Sequence, residues 1–281
     1  MVNYTPAVPG TLYLVGTPLG NLADMTSRAI ETLRAADLIL CEDTRHTRKL
    51  LTHFGIETPA DSYHEHNENE KAPVFVGRLE RGESFALVSD AGMPVLSDPG
   101  YRIVRLARER GIRVEPIPGP FAGAIALASS GIAPLPFTFL GFTPHRQGER
   151  LDFYRRAVEL GHTVVVYESP ERLRASLEDV AAVFGDAEVC VARELTKMHE
   201  EIFTGTASSL LAKVDTVRGE VTLVIGRAPQ PAAEVSAAAI REEFDRLRAS
   251  GMRRNDAIKA VAEDFGLRKN DVYRLLISGV E

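Results

Sequence analysis

Cysteine is scarce: the 281 residues hold only Cys41 and Cys190. Each sits inside an apolar run, LILCED or AEVCVAR, and neither has a metal-ligand spacing. A disulfide framework is excluded, no metal is expected, and the two thiols read as buried and reduced. Long apolar runs are also missing, since none approaches the roughly 20 residues that cross a bilayer. The opening MVNYTPAVPG has neither the basic head nor the apolar core of a secretory signal. The expected compartment is therefore the cytoplasm. An excess of positive charge is absent too. Lys and Arg number 33 against 39 Asp and Glu, a net charge of −6, which argues against a protein that coats nucleic acid indiscriminately. A local basic surface stays compatible with that balance. There is no internal repeat, no phosphate-binding loop and no GxGxxG fingerprint, so the usual nucleotide-binding and dehydrogenase readings are disfavoured.

What is present is alternation. Short apolar runs are separated by amphipathic stretches, the pattern of an α/β protein. The predicted strands are TLYLV (11–15), DLILCE (37–42), SFALVS (84–89) and RVEPIP (113–118), then FTFLGF (137–142), HTVVVYE (162–168), AEVCVAR (187–193) and EVTLVIG (220–226). Ile103, Leu106 and Ala107 form one helical stripe, and Leu173, Leu177, Val180 and Phe184 another. A boundary is expected near Pro118–Pro120, between two groups of four strands. The proline-rich RAPQPAAEV (227–235) reads as a linker. The expected division is an α/β domain over 1–118, a second over 119–228, and a helical domain over 236–281.

Three loops after strands are rich in glycine, proline and small polar residues, and open α/β sheets bind ligands at such strand ends. GTPLGNL (16–22) has two glycines that admit a ligand to the backbone. SDAGMPVLSDPG (89–100) packs two Asp, two Ser, two Gly and two Pro into twelve residues, a stretch that is costly to order unless something is held there. Asp90 or Asp98 would accept from hydroxyl or amine donors, with Asp98 alternatively capping the helix that starts near Gly100. PIPGPFA (116–122) reads as either a ligand turn or a rigid inter-domain turn.

Two polar clusters accompany the loops. Glu42-Asp43-Thr44-Arg45-His46-Thr47-Arg48-Lys49 starts at a strand end and runs into a helix. In Tyr63-His64-Glu65-His66-Asn67-Glu68, the two histidines alternate and would share one side of an extended chain. A lone HxH is weak support for a metal; a solvated loop and a substrate or proton-transfer role are the two readings that remain, the latter somewhat the stronger. The tail, 236–281, is helical in pattern and carries nine Lys/Arg against eight Asp/Glu. Two short helices around Phe265-Gly266-Leu267, with a third upstream, suit nucleic-acid docking. A helical cap supporting a dimer is the alternative.

In order and spacing, GTPLGNLADMTSRA, CEDTRHTRKLL, HEHNE, LVSDAGMPVLSDPGYRIV, PIPGPFAGAIAL, YESPERL and ARELTKMHEE make the chain resemble the ribosomal RNA small-subunit cytidine 2′-O-methyltransferase branch of the tetrapyrrole methylases. The resemblance spans roughly Gly10 to Leu276. It departs at Met93, where threonine is expected, and at RGEVTLVIG. It implies two α/β domains with S-adenosylmethionine in the cleft between them, and a homodimer. It assigns the cofactor to Ser89, Asp90, Ala91, Gly92, Pro94 and Leu96, to Pro120 and Phe121, and to Tyr167, Glu168, Leu195, Glu220 and Thr222. It turns GTPLGNL, EDTRHT and HEHNE toward the RNA.

Methyl transfer to a hydroxyl needs positioning and a proton acceptor. His64, His66, Asp43 and Glu42 are the candidate bases, and the residues leave the choice open. Arg45, Arg48, Arg253, Arg254, Arg268 and Lys269 are candidate phosphate contacts, which supply register rather than sequence information. Two rival functions remain: a methyltransferase acting on a precorrin-like tetrapyrrole, and a non-catalytic RNA-binding ribosome assembly factor.

Overall fold

The computed structural model describes residues 10–214, 218–229, 237–265 and 267–277. Most of the proposed 227–235 linker, and Gly266 in the tail's turn, lie outside them. The elements run β1 Thr11–Val15, α1 Ser27–Ala35, β2 Leu38–Cys41, α2 Thr44–His53, β3 Ala60–Ser62, α3 Glu68–Glu80, β4 Phe85–Leu87, α4 Tyr101–Glu109 and β5 Arg113–Ile117. They continue through α5 Ala122–Ser129, β6 Phe137–Phe142, α6 Gln147–Glu159, β7 Thr163–Glu168, α7 Leu173–Phe184, β8 Glu188–Arg193, β9 Glu201–Thr206, α8 Ala207–Leu210 and β10 Val221–Ile225. Three helices follow: α9 Ala237–Ala249, α10 Arg254–Asp264 and α11 Lys269–Ile277.

Residues 1–228 and 229–281 are separate compact units. The first holds two five-stranded sheets, ordered β3-β2-β4-β1-β5 and β6-β7-β10-β8-β9. Each group thus has five strands where four were expected. The additions are β3 (ADS) and β9 (EIFTGT), both at sheet edges. Neither carries the apolar run by which a strand shows itself.

Every pairing in the first sheet is parallel. A parallel sheet is covered on both faces, and β1 shows how. Leu12 packs with Phe75, Leu79, Ile103 and Ala107 of α3 and α4, while Tyr13 and Val15 pack with Ala29, Leu33 and Leu51 of α1 and α2. The second sheet is mixed, with β6 parallel to β7 and the other pairings antiparallel. Val164 and Val166 face Leu173, Leu177 and Phe184 of α7, whereas Val165 faces Ala126 and Leu127 of α5.

Caps fix where the helices begin. Thr26 Oγ1 accepts from the Ala29 amide before α1, and Asp43 Oδ1 from the Arg45 amide before α2. Asp98 does not cap α4. That position belongs to Gly100, whose φ of 133° suits glycine.

One buried ion pair staples α6 to α7. Arg150 Nε lies 2.8 Å from Asp179 Oδ2, with the side chains 3% and 4% exposed. Gln147 donates to the other Asp179 oxygen, and Arg150 also reaches the carbonyl of His145. Removing one member leaves a buried charge unpaired, so Asp179→Ala should destabilise the first unit by about 3–5 kcal/mol, read by thermal and denaturant melts. An unchanged melting temperature would contradict it.

The second compact unit packs α9, α10 and α11 around Ile240, Ile258, Val261 and Val272.

Candidate active site

In the first sheet β1 leads to β2 on one side, whereas β4 leads to β5 on the other. The chain therefore reverses direction between β1 and β4, which is where an open α/β sheet forms a crevice. The loops after these two strands meet there. Thr17 and Gly92 exchange backbone hydrogen bonds of 2.9 and 3.0 Å. Thr17 Oγ1 donates to the Ser89 carbonyl, and Ser89 Oγ turns to the carbonyls of Ala91 and Gly92. Two glycines bring in the turn after β5: a Cβ on Gly119 would stand 2.6 Å from Gly16 Cα, so these backbones touch only because neither residue has a side chain.

Beyond Gly92 (φ 81°) the loop is held under strain. Val95 and Ser97 have φ of 76° and 70°, a region that a β-branched residue rarely enters and that marks functional loops. The loop reaches the second sheet, where a Cβ on Gly141 would lie 3.1 Å from Ser97 Oγ.

Between these parts opens a cleft of about 360 Å³. Asp90, Ala91, Gly92 and Leu96 line it from the first sheet, together with Leu19, Met93, Ser97 and Asp98. Phe121, Tyr167, Glu168, Glu220 and Thr222 line it from the other side, with Ala122, Phe142, Ser169, Pro170, Gly219 and Val221. Four residues that the resemblance gives to the cofactor are placed elsewhere. Ser89 is buried beneath the loop it braces, and Pro94 is buried away from the lining. Leu195 packs in the core of the second sheet. Pro120 faces a separate open hollow with Asp24, Pro118, Ile125 and Thr196.

The far wall is aromatic. Phe139 lies edge-on to both Phe121 and Tyr167 at 5.0 Å, and Phe142 meets Tyr167 at 5.3 Å. Glu168 is 2% exposed and fully engaged by Thr143 Oγ1, the Ser169 amide and Arg172 at 2.7 Å, so it holds the floor rather than reacting. Lys197 spans Glu194 and Glu220 at 2.9 and 3.2 Å, and its stem lies against Gly20, linking the GTPLGNL loop to the cleft rim.

The candidate bases differ sharply in their surroundings. Asp43 caps α2 and pairs with Arg45 at 3.2 Å, and that hydrogen bonding holds its carboxyl below the usual range. A weakly basic carboxylate is thus coupled to an Arg45 fork already engaged. His64 and His66 lie on a turn entering α3 rather than on an extended chain, although their rings still approach to 5.9 Å. Asn67 Oδ1 accepts from the His64 amide, which orients the Asn67 NH₂ toward His64 Nε2 at 3.1 Å. Nε2 is therefore an acceptor already in use. The proton of the neutral ring sits on Nδ1, which is buried without a partner among the described residues. His66 is exposed. Partial burial, then the charge of Asp90, raise the Glu42 carboxyl.

Two cleft carboxylates stand apart. Asp90 Oδ1 is buried and has no hydrogen-bond partner among the described residues. Asp98 is pushed up to about 7 by burial first and then by Glu42 and Asp90. Sequence reasoning noted Asp98 only as a possible acceptor or cap, because its burial depends on the strained backbone around it. Phe142 was missed as a lining residue. Its place at the end of β6, level with Tyr167 in the register, was the available signal.

Of the proposed phosphate contacts, Arg48 is exposed on α2. Arg253, Arg254, Arg268 and Lys269 are exposed on the helical unit, with the Arg254 guanidinium 6.0 Å from the Tyr273 ring centre. Among the described residues, no cluster of three or more His, Cys, Asp or Glu has the makings of a metal site. No helix among them is long and apolar enough to cross a membrane.

The sequence pattern of the tetrapyrrole (corrin/porphyrin) methylases matches residues 11–211. The ribosomal RNA small subunit methyltransferase I of Synechocystis is 43% identical over 270 residues, covering 95% of this chain and 97% of its own. Its Haemophilus influenzae namesake is 41% identical over 285 residues, covering 97% and 98%. In fold, the chain superposes on a diphthine synthase with a TM-score of 0.61 at 16% identity, over 77% of this chain and 90% of that one. It also superposes on the uroporphyrin-III-C-methyltransferase of Thermus thermophilus with a TM-score of 0.55 at 19% identity, over 78% and 95%. A crevice at the strand reversal, a glycine-built loop and near full-length relatives agree: the chain belongs to the tetrapyrrole methylases and is an S-adenosylmethionine-dependent methyltransferase.

Proposed function

We propose that the protein methylates the ribose 2′-hydroxyl of a cytidine in the 16S ribosomal RNA of the small subunit. The observation that carries this is identity of 41–43% to ribosomal RNA small subunit methyltransferases I over nearly all of this chain, helical tail included. The uroporphyrin-III-C-methyltransferase, which acts on a tetrapyrrole, shares only the fold, at 19% identity. A non-catalytic assembly factor would have no use for a strained and well-braced 89–100 loop.

The cleft fits the cofactor. Asp90 offers an unsatisfied buried oxygen to a hydroxyl or amine, Gly92 opens the backbone beside Leu19, and Phe121 and Tyr167 supply flat apolar walls. When bound, S-adenosylmethionine supplies a methyl already activated on a sulfonium, so the protein's part is orientation and proton removal. Residues 1–118 and 119–228 act as two domains whose loops close that cleft. Residues 236–281 serve as the RNA-docking domain through Arg253, Arg254, Arg268 and Lys269, while Arg48 of α2 lies on the RNA side. The family resemblance extends to a homodimer working in the cytoplasm.

Incubating the purified protein with unmodified small subunits and methyl-labelled S-adenosylmethionine should place the label on a cytidine ribose, read by mass spectrometry of digested RNA. Label on a base, or on uroporphyrinogen instead of RNA, would overturn the proposal.

A further inference from the structure

The lip of the cleft on the second sheet carries an exposed aromatic ring. Of the large apolar side chains exposed among the described residues, two line the cleft, Leu96 at 45% and Phe142 at 61% exposure. Gly141 lies against Ser97, so Phe142 and Leu96 stand at the same lip, one from each sheet. A bulge puts Phe142 there. The register of β6 with β7 slips between Phe139 and Phe142, and Gly141 takes a left-handed φ of 71° within the slip. Phe121, Phe139 and Tyr167 of the same wall are half-buried. Phe142 meets Tyr167 edge-on at 5.3 Å, which leaves most of its ring in water.

The backbone beyond that ring is braced, while the side chains it carries point to solvent. The Thr143 amide donates to the Tyr167 carbonyl, and Thr143 Oγ1 donates to Glu168. The buried Arg150 donates to the His145 carbonyl at 3.3 Å. His145 is exposed, and its Nδ1 lies 3.1 Å from an Arg172 nitrogen. An arginine can only donate, so Nδ1 accepts, and the proton of the neutral ring sits on Nε2 as a further donor. Arg146 is 85% exposed, and its pair with Glu149 at 3.2 Å is a surface contact that another anion can displace at little cost.

An exposed ring beside two outward donors on a fixed backbone suits an unpaired RNA strand. Every base has a face that stacks on an aromatic ring, and the strand's phosphates meet the donors. The strand must also pass here, because the acceptor hydroxyl has to reach the cofactor and its neighbouring nucleotides then cross the mouth of the cleft.

From this placement we infer that Phe142 to Arg146 form the platform that receives the RNA. A base next to the acceptor ribose stacks on Phe142, and a phosphate of the same strand is held by His145 Nε2 and the Arg146 guanidinium. The inference rests on the function proposed above. Phe142 is a positioning residue: it sets where the ribose lies and takes no part in bond making.

The chain has no tryptophan, so Phe142→Trp introduces a single fluorophore at the lip. Its emission should be quenched by a short unpaired oligocytidylate and by small subunits, each added with S-adenosylmethionine already saturating. Phe142→Ala should bind both RNAs about tenfold or more weakly, with calorimetric S-adenosylmethionine affinity little changed. Its melting temperature should stay near that of the wild type, because the ring is mostly exposed. Arg146→Gln should lower the slope of log affinity against log salt by about 0.7, whereas Phe142→Ala leaves that slope as it is.

Three results would overturn the platform: wild-type RNA affinity in Phe142→Ala, no quenching of Phe142→Trp by either RNA, or quenching by S-adenosylmethionine alone as strong as that by RNA. The last would give the ring to the cofactor. An unchanged salt slope in Arg146→Gln would overturn the phosphate contact. If the wild type methylates no small subunits yet oligocytidylate quenches Phe142→Trp, the platform stands and the proposed substrate falls. Methylated subunits without quenching would give the reverse.

Discussion

Gly92→Val should lose about a hundredfold or more of the affinity for S-adenosylmethionine, equivalent to about 2.7 kcal/mol, while the protein stays folded. Gly92 has a φ of 81° and exchanges both backbone hydrogen bonds with Thr17. A β-branched residue held there costs roughly 1–2 kcal/mol in backbone strain alone. The added Cβ would stand 3.2 Å from Leu19 Cδ2 and 3.3 Å from the Pro120 carbonyl, with the branched methyls left to enter the cleft or push these neighbours aside. Both responses spoil the surface that lines the cleft, whereas the sheet cores on either side are untouched. Gly119→Ala makes the contrast. Its Cβ would meet Gly16 Cα at 2.6 Å, backbone against backbone, so that variant should lose stability as well as binding. Calorimetry and thermal melting of the two variants separate the effects. Wild-type affinity in Gly92→Val would move the cofactor away from the 89–100 loop.

The contrast between these glycines shows what a sequence exposes and what it withholds. Gly16, Gly92 and Gly119 all sit in loops dense with small residues, and that density marks the region before any coordinates are known. The strands that matter are equally plain, because TLYLV and FALVS are buried on both faces and must therefore be continuously apolar. Edge strands such as β3 and β9 lack that requirement, so they leave no comparable trace. Side-chain chemistry is harder still. Asp43 and Asp98 look alike in the sequence, each an aspartate in a polar loop. One is a helix cap pinned by its neighbour Arg45, the other a half-buried carboxyl among acids that are distant along the chain. The alternation of His64 and His66 suggests a shared face, but the segment turns into α3, and Asn67 decides which imidazole nitrogen is available. Local pattern reports the elements. The roles depend on groups brought near one another over long sequence separations, as the charge of Glu42 acts on Asp98.

A chain ending after Ala228 should bind S-adenosylmethionine about as tightly as the full protein, yet methylate small subunits poorly. The first compact unit closes at that residue and contains every residue lining the cleft. The deleted unit has a core of its own in Ile240, Ile258, Val261 and Val272. What is lost is exposed cationic surface: Arg253 and Arg254 at the start of α10, and Arg268 and Lys269 at the start of α11. If these four neutralise phosphates, each contributes about 0.7 to the slope of log affinity against log salt on single-stranded RNA, so deletion should flatten that slope by up to about 3. The sign is specific. Full-length protein gains most from the helical unit at low salt, and the gap between the two proteins narrows as salt rises. Saturating small subunits should recover most of the single-turnover rate, because docking and not chemistry has been removed. Equal salt slopes for the two proteins, or a full rate at low subunit concentration, would show that the helical unit does not hold the RNA.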